Sequence, residues 1–238
     1  MKLDVLAMGA HPDDVELGCG GVLAKEVSKG KRVGILDLTR GESGTRGTPE
    51  VRLQEAQKAA AILGVSVREN LGLPDAFLEN SPAFQRKLIP VIRKYRPEVV
   101  LLNAIADRHP DHGKASELAS DSCFLSGLWK IATDCEGRSQ KAWRPKRVYH
   151  YIQGRDIPPD FLVDITGFME VKLESIRAHA SQFYNPDSKE PESPITHKDF
   201  FELLGFRARN WGRFAGVKYA EGYTVARYPC VESLFDLK

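Results

Sequence analysis

The chain has 238 residues, 42% hydrophobic and 28% charged, which is enough apolar material for a sizeable core. Its 34 basic and 32 acidic side chains leave a net charge of +2, which gives no footprint for nucleic acid or an anionic membrane. Four scattered cysteines without a CxxC pair, an N-terminus with no secretory pattern, and no run near the ~18 apolar residues of a membrane span predict a soluble, cytoplasmic protein with reduced thiols.

In chain order, Leu3, Val5, Leu6, Ala7 and Met8 read as a buried strand bounded by Gly9 and Pro12. Residues 15–29 read as a helix closed by Gly30, with Gly18-Cys19-Gly20-Gly21 allowing close packing at its start. That segment lacks the GxGxxG spacing of a dinucleotide-binding turn. A second strand over 31–38 ends in the polar, glycine-rich loop 39–47. Thr48-Pro49 then supplies an N-cap and a first-position proline for a helix over 50–63. Val51, Ala56, Ala60 and Leu63 are expected toward the sheet, and Gly64 ends the helix.

A short strand over 65–71 precedes the 72–75 loop, and Ser81-Pro82 opens another helix in which Pro90 predicts a kink or early break. Residues 98–103 read as the central strand, and 113–128 as the helix after it. The 131–145 segment is polar and irregular. Strands are expected over 147–153 and 161–165, a helix over 169–180, a mobile loop with three prolines over 184–194, a helix over 197–214, and β-like alternation over 216–228. Strand and helix alternate throughout. That pattern predicts an α/β fold, a Rossmann-like, mostly parallel sheet with helices on both faces, in a single domain.

Two stretches carry chemistry. His11, Asp13 and Asp14 follow the first strand; Asp107, His109, Asp111 and His112 follow the central one. In open α/β sheets, ligand sites gather beyond the carboxyl ends of strands. Either stretch alone reads as a turn whose Asp and His cap a helix. Two such stretches at two strand ends point instead to a metal site. His11, Asp14 and one of the two later histidines would supply three protein ligands and leave a position for water, the pattern of a catalytic zinc. Spacing does not separate His109 from His112.

AHPDDVE (10–16) and HPDH (109–112) resemble the LmbE-like (PIG-L) zinc deacetylases, which remove the acetyl group from N-acetylglucosamine-type substrates. The similarity runs through TRGESGTRG (39–47), the Arg52 helix, LGLPD (71–75), DRHPDH (107–112) and YAEGY (219–223). Within the family it is closest to the bacillithiol-biosynthesis branch, which deacetylates N-acetylglucosaminyl-malate. The resemblance implies one deacetylase domain over 1–238, a small N-acetylated amino sugar as substrate, and a homo-oligomer, a hexamer in relatives. It also implies Zn²⁺, with Fe²⁺ or another divalent metal as the alternative, held by His11, Asp14 and His112.

The same resemblance makes Asp13 the general base, His109 the group that protonates the leaving amine or stabilises the oxyanion, and Asp111 the partner that raises the His109 pKa. Arg52, a surface helix arginine on sequence alone, would turn inward to hold a substrate carboxylate; Arg108 is the second substrate-binding candidate. Glu16, in the first turn of its helix, is structural, and His150, His179 and His197 are core or surface histidines. Three competing readings remain: a zinc amidase for another N-acylated amine, a Rossmann-type nucleotide-binding protein, and a metal-dependent binding protein without turnover.

Overall fold

The computed structural model describes residues 1–236, so the last two positions of the domain expected over 1–238 lie outside the described residues. Nine strands form among the described residues: β1 (Val5–Gly9), β2 (Val33–Thr39), β3 (Val67–Leu73), β4 (Val99–Leu102), β5 (Asp134–Cys135), β6 (Arg138–Ser139), β7 (Arg147–Tyr151), β8 (Phe161–Asp164) and β9 (Ala220–Val225). The helices are α1 (Asp14–Ser28), α2 (Pro49–Leu63), α3 (Pro82–Tyr95), α4 (Pro110–Leu125), α5 (Met169–Arg177) and α6 (Phe200–Ala215). Seven strands make one sheet in the order β3-β2-β1-β4-β7-β9-β8, and β5-β6 form a small hairpin in the segment expected to be irregular. The first five of the seven run parallel, while β9 is antiparallel to both β7 and β8. The sheet is thus mostly parallel, as expected.

Every residue of β1 and β2 is buried, which is why both strands read as near-continuous apolar runs. Alternation divides their side chains between two cores. Leu6, Met8 and Leu36 join one with Leu88 and Leu118. Val5, Ala7 and Ile35 join the other with Val15, Leu63 and Met169. From β1 the chain winds outward through β2 to β3, then returns to place β4 on the other side of β1. The carboxyl ends of β1 and β4 therefore flank the point where strand order reverses, which is where open sheets bind ligands.

Helix α1 is kinked at Cys19, whose φ/ψ of −143°/16° is not helical. Glu221 of β9 receives backbone N–H bonds there from Gly21 and Val22, both at 2.9 Å, and Lys172 pairs with its carboxylate at 2.6 Å. The glycines permit this approach. A Cβ on Gly18 would lie 2.1 Å from the Tyr151 ring, and one on Gly21 2.9 Å from Ile165. The glycine segment is filled by protein atoms, which removes the support for a nucleotide loop.

Several boundaries differ from the sequence reading. Val51 points outward, 40% exposed, because the buried face of α2 is set by Arg52, Ala56, Ala59 and Leu63. Helix α3 runs through Pro90 to Tyr95 without a break, and the Pro90 carbonyl accepts a bond from Gln140 at 2.9 Å. Helix α4 begins at Pro110 rather than at 113, with His109 as its N-cap. The helix expected over 169–180 ends at Arg177, and α6 starts at Phe200 rather than at 197. The proline-containing loop after Phe183 is tied down: Arg46 donates to the carbonyls of Phe183, Glu190 and Pro191.

Candidate active site

A cavity of about 460 Å³ opens over the carboxyl ends of β1 and β4. The loop after β1, the glycine-rich loop after β2, the loop after β4 and helix α6 enclose it, so polar groups converge from one side and Phe200, Leu203 and Leu204 face them from the other. All three expected metal ligands meet at its floor. The His112 Nε2 lies 3.1 Å from Asp14 Oδ1, and the His11 Nδ1 lies 3.4 Å from Asp14 Oδ2. Ligand atoms about 2.0–2.1 Å from a tetrahedral zinc stand roughly 3.3 Å from one another, and each histidine stands near that spacing from a different Asp14 oxygen.

His112 and His109 stand differently in their contacts. His112 Nδ1 bonds Asp107 Oδ2 at 2.6 Å, which leaves Nε2 free to face Asp14. A carboxylate behind a histidine is the usual support of a metal-ligating imidazole. His109 makes no ion pair with Asp14 among the described residues; its ring stacks 5.1 Å from that of His112. Ligand atoms of His11, His109 and His112 nevertheless lie within 4.8 Å of one another, as do those of His11, Asp75 and Asp111. The buried His11 Nε2 has no hydrogen-bond partner of accepted geometry, and its nearest carboxylates are Asp75 at 3.0 Å and Asp111 at 3.5 Å. The donor set is that of a divalent transition-metal site.

Electrostatics follow from this crowding. Burial alone would raise the Asp14 pKa, yet the His112 and His11 imidazoles hold it well below the usual carboxylate range. Burial opposes charge on His112, but Asp14 and Asp107 push its pKa up to about 9. Asp13 behaves in the opposite way: burial raises its pKa, only partly offset by the Arg52 charge. It also sits at φ 128°, a conformation rare for a residue with a side chain and of the kind found at functional sites.

Arg52 is buried, 4% exposed, and lines the cavity, contrary to the surface position that sequence alone assigns it. Its guanidinium donates to the carbonyls of Gly41 at 3.0 Å and Pro12 at 2.9 Å, and stands 3.5 Å from Asp13 Oδ2. Arg108 also lines the cavity, but exposed, and its guanidinium has no hydrogen-bond or ion-pair partner among the described residues.

One expected pairing is absent. Asp111 does not hold the His109 ring: its Oδ2 accepts from Ala76 N at 2.8 Å and faces His11. His109 Nδ1 instead accepts from the Asp111 backbone N–H at 3.2 Å as the cap of α4. With Nδ1 occupied as an acceptor, the neutral ring carries its proton on Nε2. The His109 pKa is lowered, not raised, by burial and then by the His11 and His112 rings.

Asp107, named in the second stretch without a role of its own, completes the floor with Asp75, Asn103 and Gln153, which were not singled out from sequence, each just past or near a strand end. Their position after β3, β4 and β7 was the available signal. Behind α1, Glu16 is structural as expected, fully buried against Arg68, which also pairs with Asp37 at 2.8 Å. His150 and His179 are buried and His197 is exposed, and none belongs to the metal-capable groups.

Comparison with known proteins agrees with this geometry. The profile of the PIG-L family, "GlcNAc-PI de-N-acetylase", matches residues 6–123. The chain is 33% identical over 233 residues to diacetylchitobiose deacetylase of Thermococcus kodakarensis, covering 92% of this chain and 81% of that one. The crystal structure of the conserved protein TT1542 of Thermus thermophilus superposes with a TM-score of 0.86 at 39% identity, covering 98% of each chain. The 4-carboxy-2-hydroxymuconate hydratase of Pseudomonas putida shares the fold, with a TM-score of 0.79 at 24% identity over 98% of this chain and all of that one. Fold alone therefore does not choose the reaction. The family profile spans both motifs and the match to the Thermococcus deacetylase covers 92% of the chain, and on that ground the chain belongs to the PIG-L family of deacetylases.

Proposed function

We propose that this protein is a zinc-dependent hydrolase that removes the N-acetyl group from a GlcNAc-type sugar, with N-acetylglucosaminyl-malate of bacillithiol biosynthesis as the substrate. The observation that carries the reading is the meeting of His11, Asp14 and His112 at one carboxylate, with Asp13 beside them in the same cavity. When bound there, Zn²⁺ would supply Lewis acidity to the amide carbonyl and acidify the attacking water. Fe²⁺ or another divalent ion fits the same donors.

Asp13 accepts the proton of that water. Burial raises its pKa, which makes it a stronger base than an exposed carboxylate, and the Arg52 charge partly opposes that rise. His109, neutral with its proton on Nε2, donates a hydrogen bond to the developing oxyanion, and the proton that Asp13 took from the water passes to the departing amine. Asp111 orders the His11 side of the floor rather than His109. Of the two arginines expected at the substrate, Arg52 is engaged by loop carbonyls and Asp13, while Arg108 is free to pair with a carboxylate on the aglycone.

A homo-oligomer, a hexamer in relatives resembling this chain, belongs to the same reading, and Phe206 and Phe214 of α6 are exposed apolar side chains that such an assembly would cover. Cytoplasmic location is supported by four cysteines with no disulfide among the described residues, and no helix is long and apolar enough to cross a membrane. The deciding experiment follows amine release from N-acetylglucosaminyl-malate, N-acetylglucosamine and N,N'-diacetylchitobiose, with and without chelation and zinc replacement. The malate conjugate is expected to be turned over with the highest kcat/KM, and chelated protein to be inactive until metal returns. Faster turnover of diacetylchitobiose would assign the chain to that substrate instead.

A further inference from the structure

The Asp14 carboxylate is fixed by two side-chain amides that come from other strands. Asn103, one residue past β4, donates its Nδ2 to Asp14 Oδ2 at 3.0 Å. Gln153, two residues past β7, donates its Nε2 to Asp14 Oδ1 at 2.9 Å. The amides also hold each other: Asn103 Nδ2 donates to Gln153 Oε1 at 2.8 Å, and Asn103 Oδ1 accepts from Ala10 N at 2.8 Å. Both side chains are buried, so each amide group is held in one orientation by partners on two sides. Oδ2 also accepts the His11 backbone N–H at 3.0 Å, while Oδ1 has Gln153 as its one donor and keeps its other lone pair facing His112.

The residues that follow Gln153 reach a second expected ligand. The Gly154 and Arg155 backbone N–H groups donate to the two oxygens of Asp107, at 3.1 and 2.8 Å, and Asp107 in turn holds His112 Nδ1. A Cβ on Gly154 would come within 2.7 Å of Asp107 Oδ1, so only glycine allows this approach. Arg207 of α6 anchors the segment from outside by donating to the carbonyls of Gln153 and Gly154.

We infer that Asn103 and the Gln153-Gly154-Arg155 segment form a positioning platform that sets the orientation of Asp14 directly and of His112 through Asp107. The inference rests on the proposed metal reading of those two residues. Asn103 lies behind the cavity wall and Gln153 is buried within it, and the platform acts through the groups that both residues hold. Outer partners of metal ligands are worth about 10–100-fold in metal affinity. The platform joins β1, β4 and β7, so the metal geometry is written into the sheet rather than into one loop.

The test titrates metal-free protein with zinc against a chelating indicator, for the natural chain, Gln153→Leu and Gly154→Ala, and records thermal melts of the metal-free forms. Gln153→Leu keeps volume and removes the donor on Asp14; Gly154→Ala leaves Gln153 in place and displaces Asp107. Both variants should bind zinc about 10–100-fold more weakly, and saturating zinc should restore turnover without a change in KM. A merely structural role would lower the melting temperature and leave zinc affinity within twofold, and that result in both variants overturns the platform. Should Gln153→Leu not fold, Gly154→Ala alone decides. Absence of zinc binding by the natural chain would overturn the metal reading itself, a failure visible before any variant is compared.

Discussion

Replacing Arg52 by Met separates a positioning role from a substrate-binding one. The guanidinium makes two bonds to buried loop carbonyls, Gly41 and Pro12, and lies 3.5 Å from Asp13. Bonds to charged groups contribute about 1.5–3 kcal/mol each, so losing both costs on the order of 3 kcal/mol or more. For a chain of this size that corresponds to a melting-temperature drop of roughly 6–12 °C. The same change frees the 12–13 backbone and leaves Asp13 without its counter-charge. Activity should therefore fall tenfold or more on the malate conjugate and on plain N-acetylglucosamine alike, about 1.4 kcal/mol or more of transition-state stabilisation on each. Arg52→Lys should recover little of this, since one ammonium cannot replace a fork that spans both carbonyls. Initial rates on the two substrates, beside a melt of each variant, provide the check. A loss confined to the carboxylate-bearing substrate, with no change in the melt, would refute this reasoning and return Arg52 to direct substrate recognition.

Three further outcomes are expected. Asp13→Asn should retain zinc and lose about 10²–10⁴-fold in kcat, measured by metal analysis beside steady-state rates; a variant that purifies without metal would make Asp13 a ligand. Arg68→Met leaves the fully buried Glu16 and Asp37 carboxylates without their shared cation, and breaking such a pair costs about 3–5 kcal/mol, readable as a fall in denaturant midpoint. His150 is buried with its pKa lowered by desolvation, so its neutral form is favoured in the folded state; stability is intact above the unfolded value near 6.5 and falls as pH drops through that value toward the lower folded one. His150→Asn should accordingly flatten the slope of stability against pH between about 7 and 5, in melts of metal-free protein, and an unchanged slope would assign that slope to other groups.

Much of the architecture was legible in the residues because its causes are local. Continuous apolar runs marked β1 and β2, Thr48-Pro49 and Ser81-Pro82 marked helix starts, and histidines and aspartates after two such runs marked the site. Those patterns depend on neighbours within a few positions, and they also carry the family resemblance. What tertiary structure decided involves partners far apart in the chain. His112 is distinguished from His109 by Asp14, at the end of another strand, and Asp111 turns to Ala76 and His11 rather than to the ring two residues away. Arg52 faces inward because the carbonyls of Gly41 and Pro12 receive it, which no periodicity of its own helix expresses. Gln153 meets Asp14 across 139 positions only because β7, β4 and β1 are neighbours in the sheet. The sequence holds the ligands' chemical identity; their orientation exists only once the strand ends converge and each buried polar group must find a partner.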